Sequence, residues 1–203
     1  MGLVGFRPSR KNPNLCTRCC DILPPVGIEI DTAVLFADVR GSTALSERVG
    51  PAEFARRLNQ FYRTATEVLI RHDAIIDKLI GDEVMAFFVP GISGPHYRRR
   101  AALAAVDLVQ SLALRSTLPV GASVVAGPAS VGNVGADRVV DFTALGDPVN
   151  TAARLQALAG PGEVVLVEDL FGEVGDRFPR AEPRRPAVRG RSAPVDVRVV
   201  NTH

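Results

Sequence analysis

Lysine is almost absent from this chain. Of its 24 basic residues only Lys11 and Lys78 are lysines, and arginine supplies the others. An exposed charge that only hydrates the surface accepts either residue type, so a lysine kept among apolar neighbours favours a site that needs a compact ammonium group. Lys78 lies in such a place, in segment 77–83 (DKLIGDE). Taken alone, the segment fits a chance lysine beside a β-turn equally well.

Long apolar runs and a strong net charge are missing too. No apolar stretch approaches the roughly 20 residues that span a bilayer, and the first residues lack the apolar core of a signal peptide. The formal net charge is only +2 and the arginines are scattered, which argues against nucleic acid as a partner. A chain of 203 residues with 46% hydrophobic and 23% charged residues is expected to form one globular domain with a short appendage, outside the membrane and in the cytoplasm.

Cysteine occurs only three times, in the cluster Cys16, Cys19 and Cys20. The Cys-x-x-Cys spacing could supply half of a zinc site, but no second pair and no nearby histidine completes four ligands. Two chains could pool their halves, although thiols on a surface segment are the more ordinary interpretation. We interpret residues 1–30, rich in arginine, proline and asparagine, as an N-terminal extension of uncertain structure that precedes a domain formed by residues 31–203.

The order of predicted elements is that of a ferredoxin-like α+β sandwich, a βαββαβ unit with extra C-terminal strands. The apolar patterns predict strand 32–38, helix 51–72, strands 74–79 and 84–88, helix 98–114, strands 119–125, 139–143, 164–167 and 195–200, and a helix beginning near Asp147. The glycines between Gly127 and Gly135 suggest β-bulges. We expect the first strand to lie beside the strand that follows the first helix. We also expect helices on one sheet face, which leaves the other face free for a ligand or a second subunit.

Two aspartates stand where the predicted strands end. Asp38 closes the first strand, and Asp82 lies in the predicted turn between the second and third strands. If the two carboxylates meet, they repel each other unless a cation lies between them, and oxygen ligands near a phosphate favour Mg²⁺ or Mn²⁺. Each aspartate taken alone is more commonly a helix cap or a turn residue.

Small residues follow the first strand, in the turn Gly41-Ser42-Thr43, where the chain enters a helix. The first N–H groups of a helix have no partner within it, so such a turn favours an anionic ligand. The sequence therefore predicts that a phosphate binds near the end of the first strand.

A third segment carries Asn150 and Arg154. Their i, i+4 spacing means that a helix projects both side chains from one face. A guanidinium beside an amide can donate hydrogen bonds to a phosphoryl group during its transfer, when negative charge accumulates on the equatorial oxygens. By itself, Asn-x-x-x-Arg is a weak pattern and is usually a solvated helix face.

In combination, these segments resemble a known family, the class III nucleotidyl cyclase catalytic domain, also called the adenylate/guanylate cyclase homology domain. The resemblance runs from about residue 32 to residue 200. Its motifs are FADVRGST at 36–43, KLIGD at 78–82 and TALGDPVNTAAR at 143–154. The resemblance implies an adenylate cyclase that converts ATP to 3′,5′-cyclic AMP and pyrophosphate.

The resemblance also implies a role for the motif residues at the phosphate end of the nucleotide. Asp38 and Asp82, together with the backbone carbonyl of Val39, would hold two Mg²⁺ or Mn²⁺ ions. Asn150 would orient the ribose, and Arg154 would stabilise the α-phosphate in the transition state.

At the base end, the resemblance implies that Lys78 reaches the N1 edge of the purine and that Thr143 occupies the second purine-reading position. Many members carry an aspartate at that position, so Thr143 is similar to a subgroup with a Lys/Thr pair. A hydroxyl still accepts a hydrogen bond from the adenine amino group. Guanine-specific relatives carry an acidic residue where Lys78 stands, so ATP is favoured over GTP. Arg189 or Arg191 is expected to contact the β- and γ-phosphates.

In this family the metal aspartates come from one chain and the Lys/Thr/Asn/Arg set from its partner, so a chain with both halves implies a homodimer with two equivalent sites. Three alternatives stay open. One is a nucleotide-binding or dimerisation module with little or no turnover, and another is a guanylate cyclase. The third is a diguanylate cyclase, because Gly81-Asp82-Glu83 is similar to the Gly-Gly-Asp-Glu-Phe turn of that family, although Ile80 and Val84 depart from it.

Overall fold

The computed structural model of the chain describes residues 7–9, 13, 15–17, 27–116, 118–136 and 139–202. The strands within these ranges are β1 (Ile28–Val39), β2 (Ile75–Ile80), β3 (Glu83–Phe88), β4 (Val120–Ala136), β5 (Val139–Leu145), β6 (Glu163–Val167), β7 (Glu182–Arg184) and β8 (Val197–Asn201). The helices are α1 (Ser42–Val49), α2 (Pro51–Arg71), α3 (Pro90–Ser93), α4 (Tyr97–Arg115), α5 (Asp147–Gln156) and α6 (Glu168–Phe171), with a 3₁₀ turn at Gly175–Arg177. This order confirms the predicted α+β class with its βαββαβ unit and additional C-terminal strands.

The described strands form one sheet in the order β2-β3-β1-β4-β6-β8-β7, and β5 pairs with the far part of β4. β1 is central and pairs antiparallel with β3 and β4. The expectation that β1 lies beside the strand after the first helix is wrong, because that strand is β2 and β3 lies between them. The hairpin folds β3 back antiparallel into the gap between β1 and β2. Its turn therefore still reaches the end of β1.

The first core lies between the sheet and helices α2 and α4. Pro51 begins α2, where its missing N–H costs no helical hydrogen bond, and the predicted apolar stripe of α2 is buried at Phe61, Ala65, Val68 and Leu69. Fully burying an aliphatic or aromatic side chain of this kind stabilises a fold by about 1.5 to 3 kcal/mol. The stripe is therefore enough to fix α2 against the sheet.

The opposite sheet face is not free, which corrects the second expectation about the sheet. Ala152 and Leu155 of α5 are fully buried there against residues such as Val34 and Phe36 of β1. Successive side chains of a strand point to opposite faces, so β1 supplies both cores and its sequence is a continuous apolar run. Helix α5, which carries two candidate site residues, is thus anchored directly on the central strand.

The glycine-rich stretch predicted to contain bulges is instead part of one long strand, β4, whose pairing with β1 and β5 runs without a register shift. Close approach requires glycine earlier in β4, at Gly121, where a Cβ would lie 2.8 Å from the Gly160 carbonyl oxygen, whereas a Cβ at Gly127 would make an ordinary contact of 3.8 Å with Pro148. The irregularity in register falls elsewhere, between Ile76 and Lys78 of β2. This register shift lies at Lys78, one of the candidate site residues.

The N-terminal segment is described only in part. Cys16 is half-buried and forms an isolated bridge with Pro8. Cys19 and Cys20 lie outside the described residues, so the half-site hypothesis for zinc stays a prediction. In the described part of the chain, no helix is both long enough and apolar enough to cross a membrane.

Candidate active site

Asp38 and Asp82 come together where β1 ends beside the hairpin turn. Asp38 is the register partner of Glu83, and the N–H of Val39 donates to the Asp82 carbonyl oxygen over 3.1 Å. Val39 is buried and follows Asp38 directly, so its carbonyl lies at the same strand end. We call Asp38, Asp82 and Glu83 the acidic cluster.

The charges of the acidic cluster are poorly balanced. Burial raises the pKa of Asp38, and the neighbouring Asp82 raises it further, although the Arg40 guanidinium acts in the opposite direction. Burial also raises the pKa of Glu83, and the negative charges of Asp38 and Asp82 raise it further. Three carboxyl groups thus share one nearby guanidinium, whose Nη2 lies 2.7 Å from Asp38 Oδ2. Arg40 is a residue whose role the sequence pattern did not reveal.

A divalent cation fits this arrangement. Asp38 Oδ1 is buried and has no hydrogen-bond partner among the described residues. No group of three or more His, Cys, Asp or Glu side chains able to hold a metal occurs in the described ranges. Mg²⁺ does not require such a group, since it commonly uses one or two carboxylates and completes its shell with water and phosphate oxygens.

A tyrosine fixes the turn that carries Asp82. The Tyr62 hydroxyl of α2 donates to the carbonyl oxygen of Gly81. Gly81 is the first residue of a two-residue turn between Ile80 and Glu83 and has a φ of 59°, a conformation that glycine adopts at little cost. Sequence reasoning assigned Tyr62 no function, and its apolar neighbours in α2 gave no signal for one.

The predicted phosphate turn also has a defined backbone. Gly41 is the N-cap of α1 with φ 70° and ψ 24°, in the left-handed region, and no side chain caps the helix. Ser42 and Thr43 form the first turn of α1, where the N–H groups have no partner within the helix. The turn therefore lies two residues beyond Val39 with backbone donors available to an anion.

Lys78 and Thr143, the predicted purine readers, are in contact. Lys78 Nζ donates to Thr143 Oγ1 over 3.4 Å. The same ammonium lies 3.4 Å from Asp141 Oδ2 and 3.9 Å from Asp77 Oδ2. Thr143 in turn donates to Asp77 Oδ2 over 2.5 Å. We call Asp77, Lys78, Asp141 and Thr143 the lysine cluster.

The β-bulge in β2 explains how Asp77 and Lys78 both reach Thr143. Adjacent residues of a regular strand point to opposite faces, but Ile76 pairs with Ala86 and Lys78 with Met85, so Asp77 is the extra residue. A bulge re-aims side chains in this way. The sequence gives no turn residue or glycine at this point that would have predicted it.

An aromatic contact holds β5, and with it Thr143, over the sheet. The rings of Phe142 and Phe87 lie 6.1 Å apart between centroids, with planes tilted by 42°. Such a pair contributes about 0.5 to 1.5 kcal/mol beyond the area that it buries. Thr143 is itself only 3% exposed, so its hydroxyl sits in a fixed environment.

Asn150 and Arg154 project from the exposed side of α5, as their spacing predicted. The opposite side of the helix is fixed by the buried Ser123 hydroxyl, which donates to the Ala152 carbonyl oxygen over 2.7 Å. Arg154 lies against the loop that precedes β8: a Cβ built at Gly190 would be 3.0 Å from its Nη1.

Of the two arginines predicted to contact the triphosphate, Arg191 is engaged within the chain and Arg189 is exposed. Arg191 donates to the Thr151 hydroxyl over 3.0 Å and to the Asp147 carboxylate. This joins the loop to the first turn of α5. Arg189 lies one residue from the Gly190 contact with Arg154.

The cleft of about 750 Å³ that the described residues form does not gather the predicted site residues. It lies between β4, α5, α6 and the strands β7 and β8, and among the candidates only Arg191 borders it. The structure instead forms three groups: the acidic cluster with α1, the lysine cluster, and the α5 surface of Asn150 and Arg154. A nucleotide that contacts all three groups would therefore have to bridge separate parts of the surface.

Comparison with known proteins identifies relatives over most of the chain. The family profile for the adenylate and guanylate cyclase catalytic domain matches residues 29–184. The uncharacterised protein Rv1318c of Mycobacterium tuberculosis is 34% identical over 176 residues, which are 83% of this chain and 32% of that protein. Rv1319c of the same organism, also uncharacterised, is 35% identical over 138 residues, 66% of this chain and 25% of that protein. The chain thus spans a quarter to a third of the length of these relatives.

Solved structures share the fold. The adenylyl cyclase CyaB from P. aeruginosa superposes with a TM-score of 0.77 and 26% identity, covering 85% of this chain and 94% of that one. The guanylyl cyclase Cya2 gives a TM-score of 0.77 with 24% identity, covering 86% and 93%. The two are named for different cyclase activities, so the superpositions show the shared fold and do not distinguish between these activities.

Proposed function

The chain belongs to the adenylate and guanylate cyclase catalytic domain family, and we propose that it is an adenylate cyclase. In the proposed reaction the ribose 3′-oxygen of ATP attacks the α-phosphorus, which forms 3′,5′-cyclic AMP and releases pyrophosphate. Both reacting atoms belong to one molecule, so the site has to hold the nucleotide in an in-line pose. Residues 31–203 form the catalytic domain in this proposal.

The contact between Lys78 and Thr143 carries the choice of ATP. The two residues are 65 positions apart, yet Lys78 Nζ lies 3.4 Å from Thr143 Oγ1. Adenine presents an acceptor at N1 and a donor at its 6-amino group, which match an ammonium and a hydroxyl oxygen. Guanine presents N1–H and O6 instead, so the ammonium would face a donor at N1. This chemistry supports ATP over GTP.

At the phosphates, Arg154 would stabilise the charge that grows on the α-phosphate, and Asn150 would orient the ribose. Loss of Arg154 should therefore lower turnover more than nucleotide binding. The backbone donors of Gly41, Ser42 and Thr43 and the exposed Arg189 would contact the remaining phosphate oxygens.

Asp38, Asp82 and the Val39 carbonyl would hold two Mg²⁺ or Mn²⁺ ions. When bound, such ions supply a lower pKa for the 3′-hydroxyl and charge neutralisation for the leaving pyrophosphate. Within the chain, Arg40 occupies Asp38 Oδ2 and leaves the buried Oδ1 to another partner, while Tyr62 keeps the turn of Asp82 in place.

The proposal includes a homodimer with two equivalent sites. The acidic cluster of one chain would face the lysine cluster and the α5 surface of the other, as the division of these residues between two chains in this family implies. The cleft of about 750 Å³ within the described part of one chain is bordered by none of these groups. Leu79 and Ile80 of the hairpin are 44% and 58% exposed. Apolar side chains at such a position suit a protein interface.

The direct test is product analysis with ATP and GTP side by side, each in Mg²⁺ and in Mn²⁺. Cyclic AMP as the main product supports the proposal. If cyclic GMP formed from GTP is in excess, the protein is a guanylate cyclase. Nucleotide binding without a cyclic product would favour the module without turnover. A cyclic dinucleotide from GTP would revive the diguanylate cyclase alternative.

A mixing experiment tests the shared site. Asp38→Ala and Asn150→Ala should each be inactive, since each removes one half of both sites. After random exchange of subunits, half of the dimers are mixed and each carries one intact site, so about a quarter of the wild-type activity should return. No recovery despite proven exchange would contradict the shared-site arrangement.

A further inference from the structure

The lysine cluster contains a carboxylate to which the proposed function assigns no task. Asp77 is buried, with none of its side chain exposed, and it accepts a hydrogen bond from Thr143 Oγ1 at 2.5 Å. That length is typical of a hydroxyl bound to an ionised carboxylate. A buried carboxylate is costly unless it is well partnered, so its retention at this position calls for a reason.

The hydrogen bond to Asp77 decides which way the Thr143 hydroxyl points. A hydroxyl carries one proton and two lone pairs, and it rotates to donate or to accept as the partner demands. Thr143 also approaches the Ala144 carbonyl oxygen, but at 3.4 Å, which is a much weaker alternative. The proton is therefore directed to Asp77, and only lone pairs remain for any further partner.

This orientation matters because Lys78, although its ammonium disfavours the N1–H of guanine, does not complete the discrimination by itself. A freely rotating hydroxyl would accept from the 6-amino group of adenine or donate to O6 of guanine with similar ease. Lys78 is a donor that suits N1 of adenine, but it can also turn toward O6 of guanine. Only a hydroxyl that is held as an acceptor excludes the guanine arrangement.

We propose that Asp77 is a positioning residue that sets purine preference: it holds the Thr143 hydroxyl as an obligate acceptor, so that the lysine cluster favours a 6-aminopurine over a 6-oxopurine. The inference rests on the proposed function, because it concerns the same nucleotide site. The β-bulge at Asp77 is part of the device, since it brings Asp77 and Lys78 to the same side of β2.

Asp77→Asn is the primary test, because asparagine has the same shape but can either donate or accept. Thr143 is then no longer obliged to donate. The ratio of kcat/KM for ATP to kcat/KM for GTP should fall about tenfold, the usual worth of one hydrogen bond in discrimination. If this variant does not fold, Asp77→Ser, whose hydroxyl also serves either role, should give the same fall. An unchanged ratio in a folded variant overturns the inference.

Two controls separate orientation from charge and from general damage. Asp141→Asn makes the same charge change beside Lys78 and should alter the ratio less than twofold, so an equal fall there would show that charge on Lys78 is responsible. In a Thr143→Val background, Asp77→Asn should change the ratio less than twofold, because the hydroxyl it acts through is gone. A full tenfold effect in that background overturns the inference.

Binding measurements separate this inference from the proposed function. The 3′-deoxy forms of ATP and GTP lack the attacking hydroxyl, so their dissociation constants can be measured whether or not the protein turns over. If the wild type forms no cyclic nucleotide but Asp77→Asn lowers the binding preference for 3′-deoxy-ATP, the cyclase function fails and the positioning role stands. If the wild type cyclises ATP and Asp77→Asn leaves both preferences intact, the positioning role alone fails. Absence of binding by both analogues overturns the two together.

Discussion

The acidic cluster and the lysine cluster lie on the same β2–β3 hairpin but differ in how their charges are satisfied. In the acidic cluster, three carboxyl groups lie near the guanidinium of Arg40, and among the described residues an oxygen of Asp38 is buried without a donor. In the lysine cluster, the ammonium of Lys78 lies within 4 Å of two carboxylates and the hydroxyl of Thr143. The first cluster is electrostatically strained. We call the second balanced because each of its two carboxylates lies within 4 Å of the ammonium, although it holds one carboxylate more than cations.

The difference indicates two ways of building a binding site. A strained group of carboxylates gains free energy when a cation arrives, so its affinity comes from relief of repulsion. A balanced group gains little from charge, but its donors and acceptors are already oriented, so it contributes selectivity at low cost in ordering. We therefore expect changes in the acidic cluster to alter turnover and metal response, and changes at Asp77, Lys78 or Thr143 of the lysine cluster to alter the choice of purine.

The largest effect should come from Asp38→Asn, which removes a charged metal ligand. Turnover should fall by about 10³-fold or more, because the transition-state charge then lacks its counterion. Asp31→Asn is a matched control, since it makes the same change on the same strand at Asp31, which is bonded to Tyr97 and Arg98. Steady-state cyclase assays should show the loss only for Asp38→Asn. Equal losses in both variants would mean that any charge change on β1 lowers turnover, and that Asp38 has no special role as a metal ligand.

Lys78→Glu should convert the balanced cluster into a second acidic one. The ratio of kcat/KM for ATP to that for GTP should fall by about 10- to 100-fold, because the donor for N1 of adenine becomes an acceptor for N1–H of guanine. Thermal unfolding should occur at a lower temperature, since a third carboxylate joins Asp77 and Asp141. Lys78→Gln serves as the control, because it removes the charge without adding an acidic group. A Lys78→Glu protein that still strongly prefers ATP would remove Lys78 from base recognition.

The sequence predicted the elements of the fold better than their arrangement. Apolar periodicity located β1, α2 and α4 because each buries a regular stripe or run. It could not show that β3 separates β1 from β2, or that α5 covers the second sheet face, because such contacts join residues far apart in the chain. The glycines of β4 were misinterpreted, because glycine permits close packing as readily as it permits a bulge.

The same limit applies to the candidate site. The motifs around Asp38, Asp82 and Thr143 were visible because their residue types are chemically distinctive. Asp77 was not, since nothing in its neighbours signals the bulge that turns it toward Thr143. Tyr62 gives no sequence signal either, because it contacts the hairpin through a hydrogen bond to a backbone carbonyl, which no side-chain pattern indicates.

Divalent metal should stabilise the protein through the acidic cluster alone. At a free Mn²⁺ concentration ten times the dissociation constant, binding adds about 1.4 kcal/mol to the free energy of unfolding. Thermal unfolding in Mn²⁺ and in chelator should show this gain for the wild type and for Lys78→Glu, but not for Asp38→Asn. A gain that survives Asp38→Asn would place the metal elsewhere.

The smallest effect concerns stability without metal, and its sign separates strain from balance. Asp38 and Glu83 have a higher pKa in the folded protein than their ordinary values. Their ionisation therefore opposes folding once the pH rises through those raised values, and the opposition vanishes below the ordinary values.

Asp82→Asn removes one of the three charges and supplies an amide donor. In chelator at neutral pH it should therefore raise the free energy of unfolding by about 1 kcal/mol, or about 2 to 4 °C in the unfolding temperature for a chain of this size. The gain should shrink as the pH falls, because Asp38 and Glu83, whose pKa values are raised by burial and by neighbouring carboxylates, become protonated. Asp31→Asn should show the opposite sign at neutral pH, because although burial acts against it, hydrogen bonds from Tyr97 and Arg98 hold the pKa of Asp31 below its ordinary value. If Asp82→Asn also lowers stability at neutral pH, the acidic cluster is not strained in the absence of metal, and the contrast with the lysine cluster disappears.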